Sequence, residues 1–272
     1  MVSDVLVEHA PAGPVLRPAD QSGAVILYLP AGPEPDLGTA TRLAELTGST
    51  VLCCRYRSRF PDALRDVQDG YRHCQDARHC QDARHCQDAR HCQDARHRQD
   101  ARHRQDARHC QDAGSVVVAG ERMGAGLAAA LLVQLRDSGA GLPRCAVLVS
   151  ALLDLTMQAK SLRLHAGGDA PTKIIELRRR IADYAGGAML TDPYLSPLYA
   201  NLHGLAPVRL VVAGTDPLLD DSLTFATRAA RSGVEVDLRV RPDAVGFDTA
   251  AAIAELVADG PSYRPAGASV NG

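Results

Sequence analysis

The sequence predicts an α/β fold in which a mostly parallel β-sheet carries helices on both faces. Short apolar, β-branched runs alternate along the chain with longer segments of helical composition. The runs are apolar at nearly every position rather than at alternate ones, which is typical of parallel strands buried on both faces. With 272 residues, the chain is long enough to form one such domain over residues 1–272 with a substantial core.

The elements follow from the same patterns in chain order. Strands are predicted at 24–29, 50–54, 115–119, 145–149, 208–212 and 236–240. Helices are predicted at 39–47, 61–72, about 125–137, 173–185, 218–232 and 247–258. Gly48 is the expected C-terminal stop of the first helix, and Pro61 begins the second. The segment 261–272 is rich in proline, glycine and serine, and is predicted to be a loose tail.

A hexapeptide repeat interrupts this order at residues 73–113. The unit His-Cys/Arg-Gln-Asp-Ala-Arg occurs six times and is followed by an incomplete seventh copy. Six residues advance a helix by about 600°, so each residue type is spread over three faces and no apolar stripe forms. We therefore predict a low-complexity insertion that is helical or disordered, with nothing to attach it to the core. A partly helical, solvent-exposed excursion is preferred, and a protruding helix or helical hairpin is the alternative.

The histidines and cysteines of the repeat raise the question of metal binding. Imidazole and thiolate are good ligands for zinc, nickel and copper, but a six-residue step misses the usual spacings of structural zinc sites. Two units also carry Arg98 and Arg104 at the cysteine position. We predict no specific metal site and no cofactor. Five of the eight cysteines lie in the repeat, and Cys53, Cys54 and Cys145 are predicted to be buried, small apolar side chains.

Composition excludes several classes of function. The formal net charge of -2 provides no basic surface for nucleic acid. No run approaches the roughly 18 apolar residues of a membrane span, and residues 1–10 lack a signal-peptide pattern. We expect a cytoplasmic protein. Because tryptophan is absent and aromatic residues are few, a ligand pocket is expected to be lined mainly by aliphatic side chains.

A strand, a tight glycine turn and a helix meet at residues 120–124, which read Gly-Glu-Arg-Met-Gly. This is the setting of the G-x-S-x-G nucleophile elbow, with Arg122 at the central position. Other motifs are the apolar strand at 25–29, Phe-Pro-Asp-Ala-Leu-Arg-Asp-Val at 60–67, Ser-Ala-Leu-Leu-Asp-Leu-Thr at 150–156, Asp-Pro-Tyr-Leu-Ser-Pro-Leu at 192–198 and Gly-Thr-Asp-Pro-Leu at 214–218. Together they resemble the hormone-sensitive-lipase-like branch of the α/β-hydrolases, the bacterial type IV carboxylesterases, over residues 24 to 248. The resemblance implies an α/β-hydrolase fold with an eight-stranded sheet and hydrolysis of short acyl esters by a Ser-Asp-His triad.

Carried over residue by residue, the resemblance implies a damaged catalytic site. Arg122 stands at the serine position, and Gly246 stands at the histidine position of the family's Pro-Asp-x-x-His segment. Asp216 matches the family's triad acid, the one member that survives, although without an imidazole to orient we favour a role as a loop residue or helix cap. In the oxyanion loop Ala31 and Gly32 retain backbone donors, whereas Pro33 has none. Loss of serine or histidine alone lowers the rate by a factor on the order of 10⁶.

Three functions remain open at this point. The preferred hypothesis is a catalytically inactive pseudo-esterase that binds a small acyl or carboxylate ligand, or a partner protein, with Arg122 at the base of the pocket. There Arg122 would attract a carboxylate, unless it pairs with Glu121. The second is an active ester hydrolase that uses a cysteine with His165 or His203, although a surface or structural role is favoured for both histidines. The third is an interaction scaffold that uses the repeat. Relatives often dimerise, which leaves both a monomer and a homodimer open.

Overall fold

The computed structural model describes residues 5–19, 24–88, 116–164, 170–242 and 247–258. Its strands form one eight-stranded sheet in the order β1-β2-β4-β3-β5-β6-β7-β8. The first two pairings, β1 with β2 and β2 with β4, are antiparallel, and all later pairings are parallel. The strands are β1 Val5–Ala10, β2 Gly13–Pro18, β3 Val25–Leu29, β4 Thr50–Cys53, β5 Val116–Glu121, β6 Cys145–Val149, β7 Val208–Ala213 and β8 Val236–Arg241. The predicted fold class, a mostly parallel sheet with helices, is confirmed.

Helices follow most of the parallel strands. They are α1 Leu37–Thr47, α2 Asp62–Asp88, α3 Met123–Asp137, α4 Ser161–Leu164, α5 Ala170–Ala185, α6 Leu219–Arg231 and α7 Thr249–Ala258. The ends of α1 show why the local sequence forms a helix there. Asp36 caps its first turn by accepting a hydrogen bond from the Thr39 amide, and Gly48 ends it in the left-handed region at φ 60°. The predicted glycine stop is therefore confirmed.

Alternate residues of the central strands face two separate cores. In β3, Leu27 and Leu29 belong to a core that includes residues of helices α2, α3 and α6, whereas Ile26 and Tyr28 belong to a core that includes residues of α1 and α7. All four side chains are fully buried, since successive side chains of a strand point to opposite faces of the sheet. Both faces are therefore covered, which is why the strands read as continuous apolar runs rather than as alternating ones.

Two features differ from the sequence prediction. The N-terminal hairpin of β1 and β2 was not predicted. The helix expected to end at Arg72 continues to Asp88 and so includes the first repeat units. Cys74, in the first unit, is only 1% exposed and packs in the core with Tyr71, so the expectation that nothing attaches the repeat to the core is wrong for this residue.

Some predictions lie outside the described residues, among them the repeat beyond Asp88 and the tail at 261–272. Cys53, Cys54 and Cys145 are buried as predicted. Burial raises the pKa of the Cys53 and Cys54 thiols to about 12. Among the described helices, none is long and apolar enough to cross a membrane.

Candidate functional site

The candidate site lies at the carboxyl edge of the sheet. The loops that leave β3, β5 and β7 meet there because parallel strands end at the same edge. These loops carry the residues predicted from the sequence: Ala31 and Gly32 follow β3, Arg122 follows β5, and Asp216 follows β7.

Arg122 occupies the tip of a sharp turn between β5 and α3. Its backbone has φ 49° and ψ -112°, a conformation rarely adopted by residues other than glycine. The turn is held by the Arg122 amide, which donates to the Val149 carbonyl at 2.9 Å. The Arg122 carbonyl in turn accepts from the Gly126 and Leu152 amides, each at 3.1 Å. This is the strained strand-to-helix geometry of a nucleophile elbow, and it persists with an arginine at the tip.

The two glycines of the elbow are required by close backbone contacts. A Cβ at Gly120 would lie 2.5 Å from the Gly124 carbonyl oxygen. A Cβ at Gly124 would lie 2.2 Å from the Leu29 carbonyl oxygen and 2.4 Å from that of Pro30. Each glycine therefore lets the start of α3 pack directly against the neighbouring backbone.

The Arg122 guanidinium faces Asp216 across the site. Arg122 Nη2 lies 4.0 Å from Asp216 Oδ2, at the outer limit of an ion pair, and the two side chains are 56% and 5% exposed. The other oxygen of Asp216, Oδ1, accepts a hydrogen bond from the Leu218 amide at 2.8 Å. Asp216 thus fixes the turn before α6, and the structure brings the arginine and the acid together.

Glu121 has a different partner from the one considered from the sequence. Its carboxylate accepts a hydrogen bond from the Thr249 hydroxyl at 2.8 Å, at the first residue of α7. The expectation that Glu121 pairs with Arg122 is wrong, because this contact directs Glu121 towards α7.

Tyr56 fixes the loop that follows β3. Its hydroxyl donates to the Pro30 carbonyl at 2.7 Å, and its amide donates to the Pro33 carbonyl at 3.3 Å. Burial is the main cause that raises the pKa of the Tyr56 hydroxyl. The amides of Ala31 and Gly32 donate to no acceptor within the described ranges. The loop therefore retains two free backbone donors beside the elbow.

These loops form the floor of a cleft of about 1000 Å³. Its walls come from α4, α5 and the loops that follow β6 and β7, and they include Leu152, Leu162, Leu177, Ile181 and Leu218. The charged side chains that line it are Arg59, Arg122, Arg180 and Asp183. The cleft is mainly aliphatic, as the composition predicted, and its charged groups are mostly cationic.

The structure places few alternative catalytic groups near Arg122. No histidine or cysteine is among the described residues that line the cleft, although Ser58 is. The carbonyl of the exposed His203 accepts from Arg136 in the last turn of α3, about 20 Å along that helix from the elbow. Gly246 and His165 lie outside the described residues. No cluster of three or more potential metal ligands was found in the described part of the chain.

Sequence reasoning missed Tyr56, Thr249 and the cleft walls from α4 and α5. Thr249 lies 128 positions from Glu121, so no local pattern connects them. A signal was available for Tyr56, since it lies three residues after the end of β4, at the edge of the sheet where ligands bind.

Comparison with known proteins agrees with this geometry. Residues 28–247 match a protein family whose description is alpha/beta hydrolase fold. An esterase from the bacterial hormone-sensitive lipase family has a similar structure, with 26% identity, a TM-score of 0.72, and coverage of 94% of this chain and 84% of that chain. The chain therefore belongs to the α/β-hydrolase fold family, in its hormone-sensitive-lipase-like branch of carboxylesterase homologues.

Three relatives carry the names of hydrolases. An acetyl-hydrolase from Streptomyces hygroscopicus is 29% identical over 249 residues, which is 88% of this chain and 72% of the relative. An esterase from Acinetobacter venetianus is 34% identical over 46% of this chain and 42% of its own length. Human hormone-sensitive lipase is 42% identical over 69 residues, only 6% of that protein. These names describe the relatives.

Proposed function

We propose that this protein is a non-hydrolytic member of its family, which binds a small acyl ligand in the cleft without cleaving it. The observation that carries the proposal is Arg122 at the tip of an intact elbow. Acyl transfer needs a hydroxyl or thiol at this position, and a guanidinium offers only donors and a permanent charge. The turn places the side chain at the floor of the cleft, where a nucleophile would attack.

The surroundings of Arg122 support the same conclusion. Asp216 is within 4.0 Å of Arg122, so the acid faces a cation rather than an imidazole in this part of the site. The four described cysteine thiols are buried, which makes them poor nucleophiles. His203 lies at the far end of α3, so a base from that position would not reach the elbow.

The test is an esterase assay on the wild-type protein and on revertants. We expect wild-type protein and Arg122→Ala to hydrolyse p-nitrophenyl butyrate at the same rate. A fluorophosphonate probe should not label the wild-type protein. The double variant Arg122→Ser with Gly246→His is expected to gain turnover, because it restores both the nucleophile and the base. The matched control, Arg122→Ser alone, lacks the base and should remain slower by several orders of magnitude.

The outcomes separate the alternatives. Turnover or labelling of wild-type protein would show an active ester hydrolase and end the proposal. Turnover by the double variant alone would show that the cleft and the oxyanion loop still hold an ester productively.

A further inference from the structure

The guanidinium of Arg122 has hydrogen-bonding capacity that the described residues do not use. Arginine carries five N–H donors in a planar fork that suits a carboxylate. The contact with Asp216 at 4.0 Å is longer than a hydrogen bond, and Arg122 makes no side-chain hydrogen bond to any other described residue. Its side chain is 56% exposed, so the fork is open to the cleft.

Three backbone amides border the same space. Ala31, Gly32 and Met123 line the cleft, and none of their N–H groups donates to an acceptor within the described ranges. Met123 is the first residue of α3, where the partial positive charge of the helix favours an anion. The floor of the cleft therefore combines a full positive charge with free donors. Asp216 faces Arg122 and accepts a hydrogen bond from the Leu218 amide, and Asp183 is the carboxylate among the described residues that line the cleft.

The walls above this floor suit an alkyl chain. Leu152, Leu162, Ile181 and Leu218 line the cleft, and each is at most 5% exposed. The Ser161 hydroxyl donates to the Pro217 carbonyl at 2.7 Å, which holds α4 against the segment that follows Asp216. The wall is thus attached to the same loop that positions the acid.

Building on the non-hydrolytic function above, we propose that the ligand is a fatty monocarboxylate rather than an ester. The Arg122 fork and the amides of Ala31 and Gly32 hold its carboxylate, and its alkyl chain lies along the leucine and isoleucine wall. An ester has no charge and one of its oxygens carries an alkyl group, so it forms neither the ion pair nor the bidentate contact with the guanidinium. Such contacts correspond to about a tenfold to hundredfold difference in affinity.

The test compares octanoate, methyl octanoate and octanol by isothermal titration calorimetry with the full chain, below the micellar concentration of octanoate. Wild-type protein is expected to bind octanoate at least tenfold more tightly than the ester or the alcohol. Arg122→Gln keeps a polar, hydrogen-bonding side chain, although a shorter one, but removes the charge, and it should abolish this preference. Arg178→Gln is the matched control, since Arg178 is exposed on the same helix as Arg180 but does not line the cleft, and this variant should retain the wild-type preference.

The results distinguish this inference from the function on which it rests. Equal affinity for acid and ester without turnover would overturn the carboxylate assignment and leave a non-hydrolytic binding protein. A preference that survives in Arg122→Gln, or no octanoate binding at millimolar concentration, would overturn it as well. Release of octanoate from methyl octanoate by wild type, followed by mass spectrometry, would instead end the proposed function. The acid-to-ester ratio in wild type needs no variant, so misfolding of Arg122→Gln would not obscure the result.

Discussion

Gly124→Ala should destabilise the fold because its new Cβ would overlap backbone carbonyl oxygens at the end of β3. The new Cβ would lie 2.2 Å from the Leu29 carbonyl oxygen and 2.4 Å from that of Pro30. Carbon–oxygen contacts normally stop near about 3.3 Å, so the end of β3 and the start of α3 must separate by about 1 Å. Overpacking costs about 1–3 kcal/mol, and we expect the upper end because both obstacles are backbone atoms that cannot rotate away. Alanine's better helix propensity offsets less than about 1 kcal/mol of this.

The measurement is thermal and urea unfolding followed by circular dichroism. A loss of about 3 kcal/mol corresponds to a decrease in Tm of about 6–12 °C for a domain of this size. The control is Gly32→Ala, where the new Cβ would meet nothing within 4 Å, and its stability should stay within about 0.5 kcal/mol of wild type. If Gly124→Ala melts within about 2 °C of wild type, the close approach at the elbow is not as tight as argued.

Two further predictions concern buried groups away from the elbow. Burial raises the pKa of Asp221 to about 6, and its carboxylate accepts from the Leu153 and Asp154 amides at 2.9 and 3.0 Å. Because the folded state holds this proton more tightly than the unfolded chain, the contribution of Asp221 to the free energy of unfolding should be greatest below about pH 4 and should be lost as the pH rises through about 6. Between about pH 4 and pH 6, the free energy of unfolding of wild type, measured by urea titration, should therefore fall by about 2–3 kcal/mol relative to that of Asp221→Asn. Parallel pH profiles of the two proteins would contradict the raised pKa of Asp221. Cys74→Arg should lower the free energy of unfolding by more than about 3 kcal/mol because it buries an unpaired charge, whereas Cys74→Ser should lower it by less. Equal urea midpoints for the two variants would show that residue 74 is not in the core.

The fold was predictable because its signals are local. The apolar run at 145–149 coincides with β6, and Gly48 ends α1 as the glycine predicts. The N-terminal hairpin was missed because Pro14 and Pro18 interrupt the pattern of β2 and the side chains of β1 are largely exposed. Of the two, only β1 is an edge strand, and its side chains bury too little surface to show a clear apolar period.

The site was predictable only in part. The glycine spacing located Arg122 at the elbow, and the order of the motifs along the chain indicated that Asp216 lies near it. In the structure, Arg122 Nη2 lies 4.0 Å from Asp216 Oδ2. The partner of Glu121 could not be found in this way, since Thr249 comes close only after the sheet and α7 have assembled. The burial of Cys74 was missed because the periodicity argument treated all repeat units as equivalent, whereas the first unit extends a helix that is already packed against the core.

The position of Cys74 has a consequence for the inheritance of the repeat. The five residues after Arg72 are His-Cys-Gln-Asp-Ala, and the incomplete last unit at 109–113 has the same five residues. If all six complete units were lost, the last unit would follow Arg72 directly. The five residues after Arg72 would then be the same as they are now, with a cysteine again two positions after the arginine. Loss of the first four units alone would instead bring Arg98 to the buried position of Cys74. Folding therefore permits some changes in copy number and opposes others, according to which unit comes to follow Arg72.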